Sequence, residues 1–252
     1  MVANRRPFFF IFNAMIKTIL NLAALIISIA AAGQSFPNGS YNFNGDPAYA
    51  YNKYLVLHGE RNFTKVGIYR VLGTYYLMGE KHPGAMYSKT ETALNIKLSY
   101  NTYNQEVAFI SSSNLNNPLV KEAGTLDSFR LQKDSLITED MLFVYGGLLG
   151  SNEKAYFRQM TDPSQNLVLY KKYKSVLAST SNYIEADIRE FELEVSYYYY
   201  NKEKKEFSRL KTGYNAVKKE LGFIRNFDTV LDKELLRTNP EAALINLISS
   251  AD

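Results

Sequence analysis

The chain has 252 residues, of which 46% are hydrophobic and 21% charged, and it contains no cysteine. This composition excludes a disordered chain and a disulfide-stapled miniprotein, and the length suits one large domain or two small ones. The formal net charge of +4 arises mostly near the N-terminus, because Arg5, Arg6 and Lys17 are the only charged residues before Asp46.

The first segment has the pattern of an export signal. Lys17 precedes an apolar run over 19–32, which is shorter than the roughly 20 residues that span a bilayer. Small residues at 30–33 then form an A-x-A-like cleavage site, so we expect residues 1–33 to be removed as a signal peptide. The alternative is an uncleaved membrane anchor formed by residues 7–32.

Removal of this segment leaves 26 Lys and Arg against 25 Asp and Glu. The basic excess therefore indicates export and gives no support to nucleic-acid binding. Export would permit disulfides, but the absence of cysteine means that packing alone must stabilise the chain.

The segment 34–64 is expected to be an N-terminal loop or arm, because turn-forming residues crowd between Pro37 and Pro47. Residues 65–211 are expected to form an antiparallel β domain. Residues 212–252 are expected to form C-terminal helices packed on that domain.

The clearest predicted strand covers 95–101, where Ile96, Leu98 and Tyr100 alternate with polar residues. Turn formers follow at 101–105, and 106–110 returns as the second strand of a hairpin. Short connections favour antiparallel pairing, so the predicted fold is mainly β: an antiparallel meander forming a sandwich or an open barrel. The other predicted strands are 66–71, 75–78, 127–131, 141–145, 154–160, 167–173, 192–197 and 207–211.

Near Thr212 the apolar period changes from two to between three and four. A first short helix is predicted to end at Gly222, and a second to run from Asp228 to about Arg237. A third begins with Asn239 as its cap and Pro240 in its first turn. The sequence thus predicts two or three short helices, which must dock on the sheet or on one another to be stable.

The runs Gly73-Thr74-Tyr75-Tyr76-Leu77 and Leu98-Ser99-Tyr100-Asn101-Thr102-Tyr103-Asn104, with Gly84 between them, resemble motifs of a group of uncharacterised exported proteins from Bacteroidetes-type bacteria. Val107-Ala108-Phe109 matches the returning strand of that group. The similarity covers about residues 65–250, and this chain departs from it in a long insert over 111–125. The resemblance implies an exported β protein and brings no activity, catalytic residue or cofactor.

The residues that usually carry chemistry are sparse. His58 and His82 are the only histidines, and no H-E-x-x-H spacing exists. His82 is predicted to be an exposed loop residue in a turn over 79–84. The glycine-rich run 146–150 lacks the Lys and Ser/Thr of a phosphate-binding loop and is expected to be a turn. The sequence therefore predicts no catalytic, cofactor-binding or metal-binding residue.

Tyrosine is the unusual component, with 20 tyrosines and 15 phenylalanines but no tryptophan. Consecutive residues of a strand alternate faces, so half of the run 197–200 is expected to join the core and half to line the outside. An exposed tyrosine row can stack on sugars or contact a partner protein. The alternative is that cross-strand aromatic pairs stabilise the sheet. The candidate binding face comprises Tyr197, Tyr198, Tyr199, Tyr200, Tyr100 and Tyr103.

These observations predict an exported, soluble β protein with a non-catalytic binding or structural role in the periplasm or at the outer-membrane surface. The expected partner is an envelope protein or glycan, with no nucleic acid and no stable membrane span after signal removal. Two alternatives remain open. One is a carrier of small apolar ligands, and the other is a carboxylate-dependent hydrolase of envelope glycans that uses Asp127, Asp134, Glu139 or Asp140.

Overall fold

The computed structural model of the chain describes residues 46–48, 51, 55, 64–111, 114–179 and 187–251. The described residues are mainly β, and their strands form one open, mixed sheet followed by short helices, which confirms the predicted fold class. The predicted signal peptide lies outside the described residues. The strands are β1 (Thr64–Val66), β2 (Tyr69–Leu72), β3 (His82–Tyr87), β4 (Thr92–Asn101), β5 (Glu106–Ser111), β6 (Asn114–Lys121), β7 (Ser128–Leu131), β8 (Met141–Tyr145), β9 (Tyr156–Gln159), β10 (Leu167–Ser179), β11 (Ile188–Asn201) and β12 (Glu206–Leu210).

The strand order among the described residues is β1-β2-β11-β10-β9-β8-β7-β3-β4-β5-β6, and β12 pairs with the second half of β11. Neighbouring strands are antiparallel except for β2 and β11, which pair in parallel from Ile188 opposite Arg70. The predicted 95–110 hairpin is confirmed as β4 and β5. The longest ladder is the hairpin of β10 and β11, which runs from Leu167 opposite Asn201 to Ser179 opposite Arg189.

Two predicted strands are wrong in detail. The run 66–71 is a hairpin of β1 and β2, which turns at Gly67 with φ 61°. The run 75–78 contributes only a single bridge, between Tyr76 and Asn101. Positive φ angles at Met78 and Gly79 take the chain out of extended geometry there.

The segment 79–84, predicted as a turn, contains the start of β3 instead. A Cβ on Gly84 would lie 2.2 Å from the carbonyl oxygen of Arg130. Glycine is therefore required where β3 and β7 pair closely, and it does not mark a turn at this position. The insert over 111–125 likewise contains a strand, β6, which pairs with β5.

The main core is packed with aromatic rings. Phe129 and Phe143 stack with ring centroids 4.7 Å apart, and both contact Tyr100 at 5.1 Å. The β4–β5 turn, which is far from β10 in the strand order, contacts β10. There the backbone N–H of Ser175 donates to the carbonyl of Thr102 at 3.2 Å.

Four short helices close the chain: α1 (Tyr214–Leu221), α2 (Phe227–Val230), α3 (Lys233–Thr238) and α4 (Pro240–Ser249). The helix predicted over 228–237 is two helices, because Leu231 is extended and the Asp232 carboxylate caps α3 by accepting the backbone N–H groups of Glu234 and Leu235. Asn239 caps α4 as predicted. The helices pack on Leu167, Leu169 and Leu210 of the sheet in a second core.

The described residues form one compact unit. The described part of the predicted arm belongs to this unit, because Ala48 is buried in the aromatic core. Among the described residues, no helix has the length and apolar character needed to cross a bilayer.

Candidate functional site

The four consecutive tyrosines of β11 alternate faces as predicted, but both faces are covered. Tyr197 and Tyr199 pack in the core beneath the helices. Tyr198 stacks on Phe207 with ring centroids 5.2 Å apart and an interplanar angle of 6°. Tyr197, Tyr198 and Tyr199 are only 5–6% exposed. These residues form cross-strand and cross-layer aromatic contacts and no exposed row.

Burial also determines the acidity of these phenols. It raises the pKa of Tyr198 to about 12, and the neighbouring Glu153 carboxylate, which accepts the Tyr198 hydroxyl, acts in the same direction. Burial likewise raises the pKa of Tyr170 to about 12. Both hydroxyls therefore stay protonated at neutral pH, and that of Tyr198 donates to Glu153.

The other two predicted tyrosines lie on the β4–β5 hairpin and are separate from the β11 set. Tyr100 is fully buried, and its hydroxyl donates to Gln105 Oε1 at 2.7 Å. Tyr103 lies in the turn and is 38% exposed. Of the six residues in the predicted face, Tyr103 is the one that the structure places at the surface as an exposed side chain.

Tyr103 belongs to a small aromatic cluster at the edge of the core that the sequence reasoning missed, in which Tyr103 is exposed, Tyr75 and Tyr76 are half-buried and Phe191 is buried. Its ring lies 5.6 Å from that of Phe191, which also contacts Tyr75 at 5.4 Å. Tyr75 in turn contacts Tyr76 at 4.5 Å. We call Tyr75, Tyr76, Tyr103 and Phe191 the aromatic cluster. The sequence shows Tyr75 and Tyr76 as a pair, but not that they are half-buried, because that depends on the contact of Tyr75 with Phe191 of β11.

A cleft of about 170 Å³ adjoins the aromatic cluster on the outer face of β4, β5 and β6. Strand alternation places Ser99 and Ala108 on this face, since Leu98 and Val107 point into the core. We call this site the β5–β6 cleft. It is lined by Tyr76, Glu80, Lys81, Ser99, Ala108, Phe109, Ile110 and Pro118.

The loop before β3 forms one wall of the β5–β6 cleft. Lys81 has a φ of 63°, and its backbone N–H donates to Ser99 Oγ at 2.9 Å. This bond fixes the loop against β4. Glu80 and Lys81 therefore line one side of the cleft, and the apolar strand residues line the other. Burial and the adjacent Tyr75 raise the pKa of Tyr76, so its phenol is neutral.

The residues that line the cleft carry one carboxylate, one ammonium, the hydroxyls of Ser99 and Tyr76, and apolar surface. Glu80 is its single acidic lining residue, and the Ser99 hydroxyl already accepts the Lys81 backbone N–H. This set can hold a ligand by packing and hydrogen bonding. It lacks the second carboxylate that acid–base hydrolysis of a glycoside requires.

Three of the four carboxylates of the hydrolase alternative, Asp134, Glu139 and Asp140, lie elsewhere in the β7–β8 loop, and Asp127 precedes β7. Asp134 Oδ2 is 2.7 Å from His82 Nδ1, and Glu139 Oε1 accepts from Arg158 at 2.5 Å. Asp140 accepts the backbone N–H of Lys133 at 3.0 Å. The backbone carbonyl of Asp127 accepts the N–H of Tyr145, at the end of β7 and β8 that is opposite to the loop. None of the four lines the β5–β6 cleft.

His82 is buried and not in an exposed loop as predicted. It is 1% exposed, and its side chain points inward because its strand partner, Leu98, faces the core. Burial tends to raise the pKa of Asp134. The hydrogen bonds from His82 and from the backbone N–H groups of Ile137 and Leu136 outweigh it and lower the pKa.

A second polar arrangement is buried and was not predicted. Lys171 of β10 is 1% exposed and forms ion pairs with Asp46 and Glu241, while Tyr197 donates to Glu241 at 3.3 Å. Burial alone would lower the pKa of Lys171, but Tyr173 and the two carboxylates raise it. Because this Lys171 cluster joins the N-terminal segment, the sheet and α4, sequence periodicity could not reveal it.

Within the described ranges, no group of three or more His, Asp or Glu side chains is arranged to hold a metal ion. Comparison with protein-family models, curated proteins and solved structures gives no match to this chain. The site must therefore be interpreted from its own residues.

Proposed function

We propose that the protein is an exported, non-catalytic binding protein of the cell envelope and that the β5–β6 cleft with the aromatic cluster is its binding surface. The observation that carries the proposal is the junction of these two features at Tyr76, which contributes to both. An aromatic ring beside a half-apolar cleft with a few polar groups is typical of a recognition site. The signal-like pattern of residues 1–33 supports export to the periplasm or the outer-membrane surface.

The two alternative functions have less support. The hydrolase alternative needs paired carboxylates in a cleft, whereas Asp134, Glu139 and Asp140 are engaged with histidine, arginine or backbone N–H groups. The carrier alternative needs an enclosed cavity of several hundred Å³. Fully buried rings such as Tyr100, Phe129 and Phe143 fill the core instead.

The test uses the full chain with a C-terminal affinity tag as bait in envelope extracts and on a glycan array. An Ile110→Arg variant places a charge in the β5–β6 cleft. The matched control is Ile68→Arg, because Ile68 is 86% exposed in the β1–β2 turn at the opposite edge of the sheet. Circular dichroism confirms that both variants remain folded.

We expect an envelope protein or glycan to be retained by the wild-type chain and by Ile68→Arg, and to be lost with Ile110→Arg. Retention that is equal in all three chains would refute the cleft as the binding surface. Hydrolysis of an envelope glycan by the purified chain would refute the non-catalytic role.

A further inference from the structure

A short segment that precedes the sheet is anchored on β10 by a buried ion pair. We call residues 46–48 and 51 the strap. The Asp46 carboxylate begins it: Oδ1 accepts the backbone N–H of Ala48 at 2.9 Å, and Oδ2 forms an ion pair with Lys171. The described residues of the strap after Asp46 are helical, so Asp46 is their N-terminal cap. Ala48 is buried in the aromatic core, which fixes the strap against the sheet.

The other end of the strap lies against the loop that forms a wall of the β5–β6 cleft. The side chain of Tyr51 packs on the aromatic core, and its hydroxyl end lies over Gly79. A Cβ on Gly79 would be 3.1 Å from the Tyr51 hydroxyl oxygen. Glu80 and Lys81 follow directly in the chain and line the cleft. The strap therefore connects β10 with the cleft wall.

This loop has a backbone conformation that its surroundings must support. Met78, Gly79 and Lys81 have φ angles of 59°, 102° and 63°. Positive φ costs free energy in a residue with a side chain, so it persists only where neighbouring contacts impose it. Burial of Met78 and the bond from the Lys81 N–H to Ser99 Oγ are two such contacts. The contact of Tyr51 with Gly79 is another, and the strap supplies it.

We propose that the strap is a conformational device that controls the β5–β6 cleft. While Asp46 is paired with Lys171, the strap holds the cleft wall in its strained conformation, and detachment of the strap relaxes the wall and opens the cleft. This inference rests on the proposed function and adds the regulation of that site. Ser99, which binds the wall, lies opposite Ala108 in the cleft. Loss of the Lys81–Ser99 bond therefore uncovers Ala108.

The first experiment measures amide hydrogen exchange in the full chain by NMR. Asp46→Asn removes the charge that anchors the strap and keeps an oxygen that can accept the N–H of Ala48. The reporter is the amide of Lys81, because its exchange requires the bond to Ser99 to open. We expect this amide to exchange at least about fivefold faster in Asp46→Asn, which is the lower end of a typical coupling between two sites.

The matched control is Glu241→Gln. Glu241 also pairs with Lys171, but it belongs to α4 and not to the strap, so exchange at Lys81 should stay unchanged. Tyr51→Ala is a second variant, which removes the contact at Gly79 and leaves the ion pair in place. It should speed exchange as Asp46→Asn does. The double variant of Asp46 and Tyr51 should exchange no faster than the faster single variant, because both act through one strap.

The second experiment measures access to the cleft. The chain contains no cysteine, so Ala108→Cys places a single thiol among the residues that line the cleft. The rate of its alkylation by iodoacetamide is compared with and without Asp46→Asn. We expect alkylation to be at least about fivefold faster when the strap is released, and unchanged when Glu241→Gln is introduced instead.

Unchanged exchange at Lys81 in both Asp46→Asn and Tyr51→Ala would overturn the inference. An equal increase in Glu241→Gln would also overturn it, because a general loss of stability would then be the cause. Faster exchange at Lys81 with unchanged alkylation of Ala108→Cys would show that the cleft does not open, which would overturn it too. Retention of the envelope ligand by Ile110→Arg would refute the proposed function and leave the measured coupling standing.

Discussion

Close backbone approach leaves Gly84 no room for a side chain. The carbonyl oxygen of Arg130 and the Leu98 side chain occupy the space that a Cβ would need, at 2.2 and 2.8 Å. The backbone oxygen cannot move without shifting the ladder of β3 and β7. This single residue therefore controls how closely two core strands pair, although its sequence context is typical of a turn.

We expect Gly84→Ala to lower the free energy of unfolding by about 1–3 kcal/mol, because the methyl group overpacks the strand interface. Gly213→Ala is the control, since a Cβ there meets no atom within 4 Å and φ is −72°. Alanine is a poorer N-cap than glycine but also restricts the unfolded chain, so the control should lose less than about 1 kcal/mol. Urea denaturation followed by tyrosine fluorescence measures both. Equal losses would contradict the role of the close approach.

The pairing of Asp134 with His82 predicts sensitivity to acid. A carboxylate whose pKa is lower in the folded state stabilises the fold above its unfolded pKa of about 3.9, and that stabilisation is lost as pH falls through the folded value. We expect Asp134→Asn to lower the free energy of unfolding by about 2 kcal/mol at pH 7.

The difference between wild type and Asp134→Asn should shrink as pH falls below about 5, first because the unfolded carboxyl takes up a proton and then because the folded carboxyl does. Urea unfolding at a series of pH values measures it. Asp162→Asn is the comparison, since Asp162 lies in an exposed turn and accepts the backbone N–H of Ser164. A difference that stays constant with pH would show that the ionised state of Asp134 does not matter.

At the scale of elements, local pattern predicted most strands and the capped helices. The alternation over 95–101 and the spacing around Asn239 are properties of short segments, and β4 and α4 follow them. β3 was missed because its proline and glycine are typical of a turn, whereas Gly84 is needed here for the close pairing of β3 with β7. The break between α2 and α3 was missed because the apolar spacing continues across it. The Asp232 side chain accepts backbone N–H groups there and starts a new helix.

The cap of α4 gives a prediction at this scale. Asn239 Oδ1 accepts the backbone N–H of Ala242, so Asn239→Ala should lower the free energy of unfolding by about 1 kcal/mol. Arg237→Ala removes only an exposed ion pair with Glu234 and should change it by less than about 0.5 kcal/mol. Thermal unfolding followed by circular dichroism compares them. A larger effect of Arg237→Ala would contradict the capping argument.

At the scale of the whole molecule, the order of the strands and the Lys171 cluster depend on contacts between distant segments. No local pattern predicts that β2 pairs with β11 or that Asp46 and Glu241 both form ion pairs with Lys171. The candidate site was predicted only through Tyr103. The remainder of the β5–β6 cleft combines a loop with three strands, so no single segment carries its signature.

The Lys171 cluster predicts a compensation between substitutions. Lys171→Met leaves the Asp46 and Glu241 carboxylates without their cation and should lower the free energy of unfolding by about 3–5 kcal/mol. The triple variant Asp46→Asn, Lys171→Met and Glu241→Gln removes the buried charge and should recover a large part of that loss. Urea denaturation of both variants measures the recovery. A triple variant less stable than Lys171→Met would refute the electrostatic account.

The parallel pairing of β2 with β11 has a consequence for biogenesis. The guanidinium of Arg70 meets its partner Asp187 across 117 residues of chain, so β2 cannot pair with β11 until about three-quarters of the 252 residues have been synthesised. Contacts of such sequence separation form late and slowly. A ribosome-bound fragment ending before β10 cannot complete this sheet. The topology therefore makes the joining of β2 to β11 a late step of folding, whereas hairpins of strands that are neighbours in the sequence, such as β4 and β5, can form earlier.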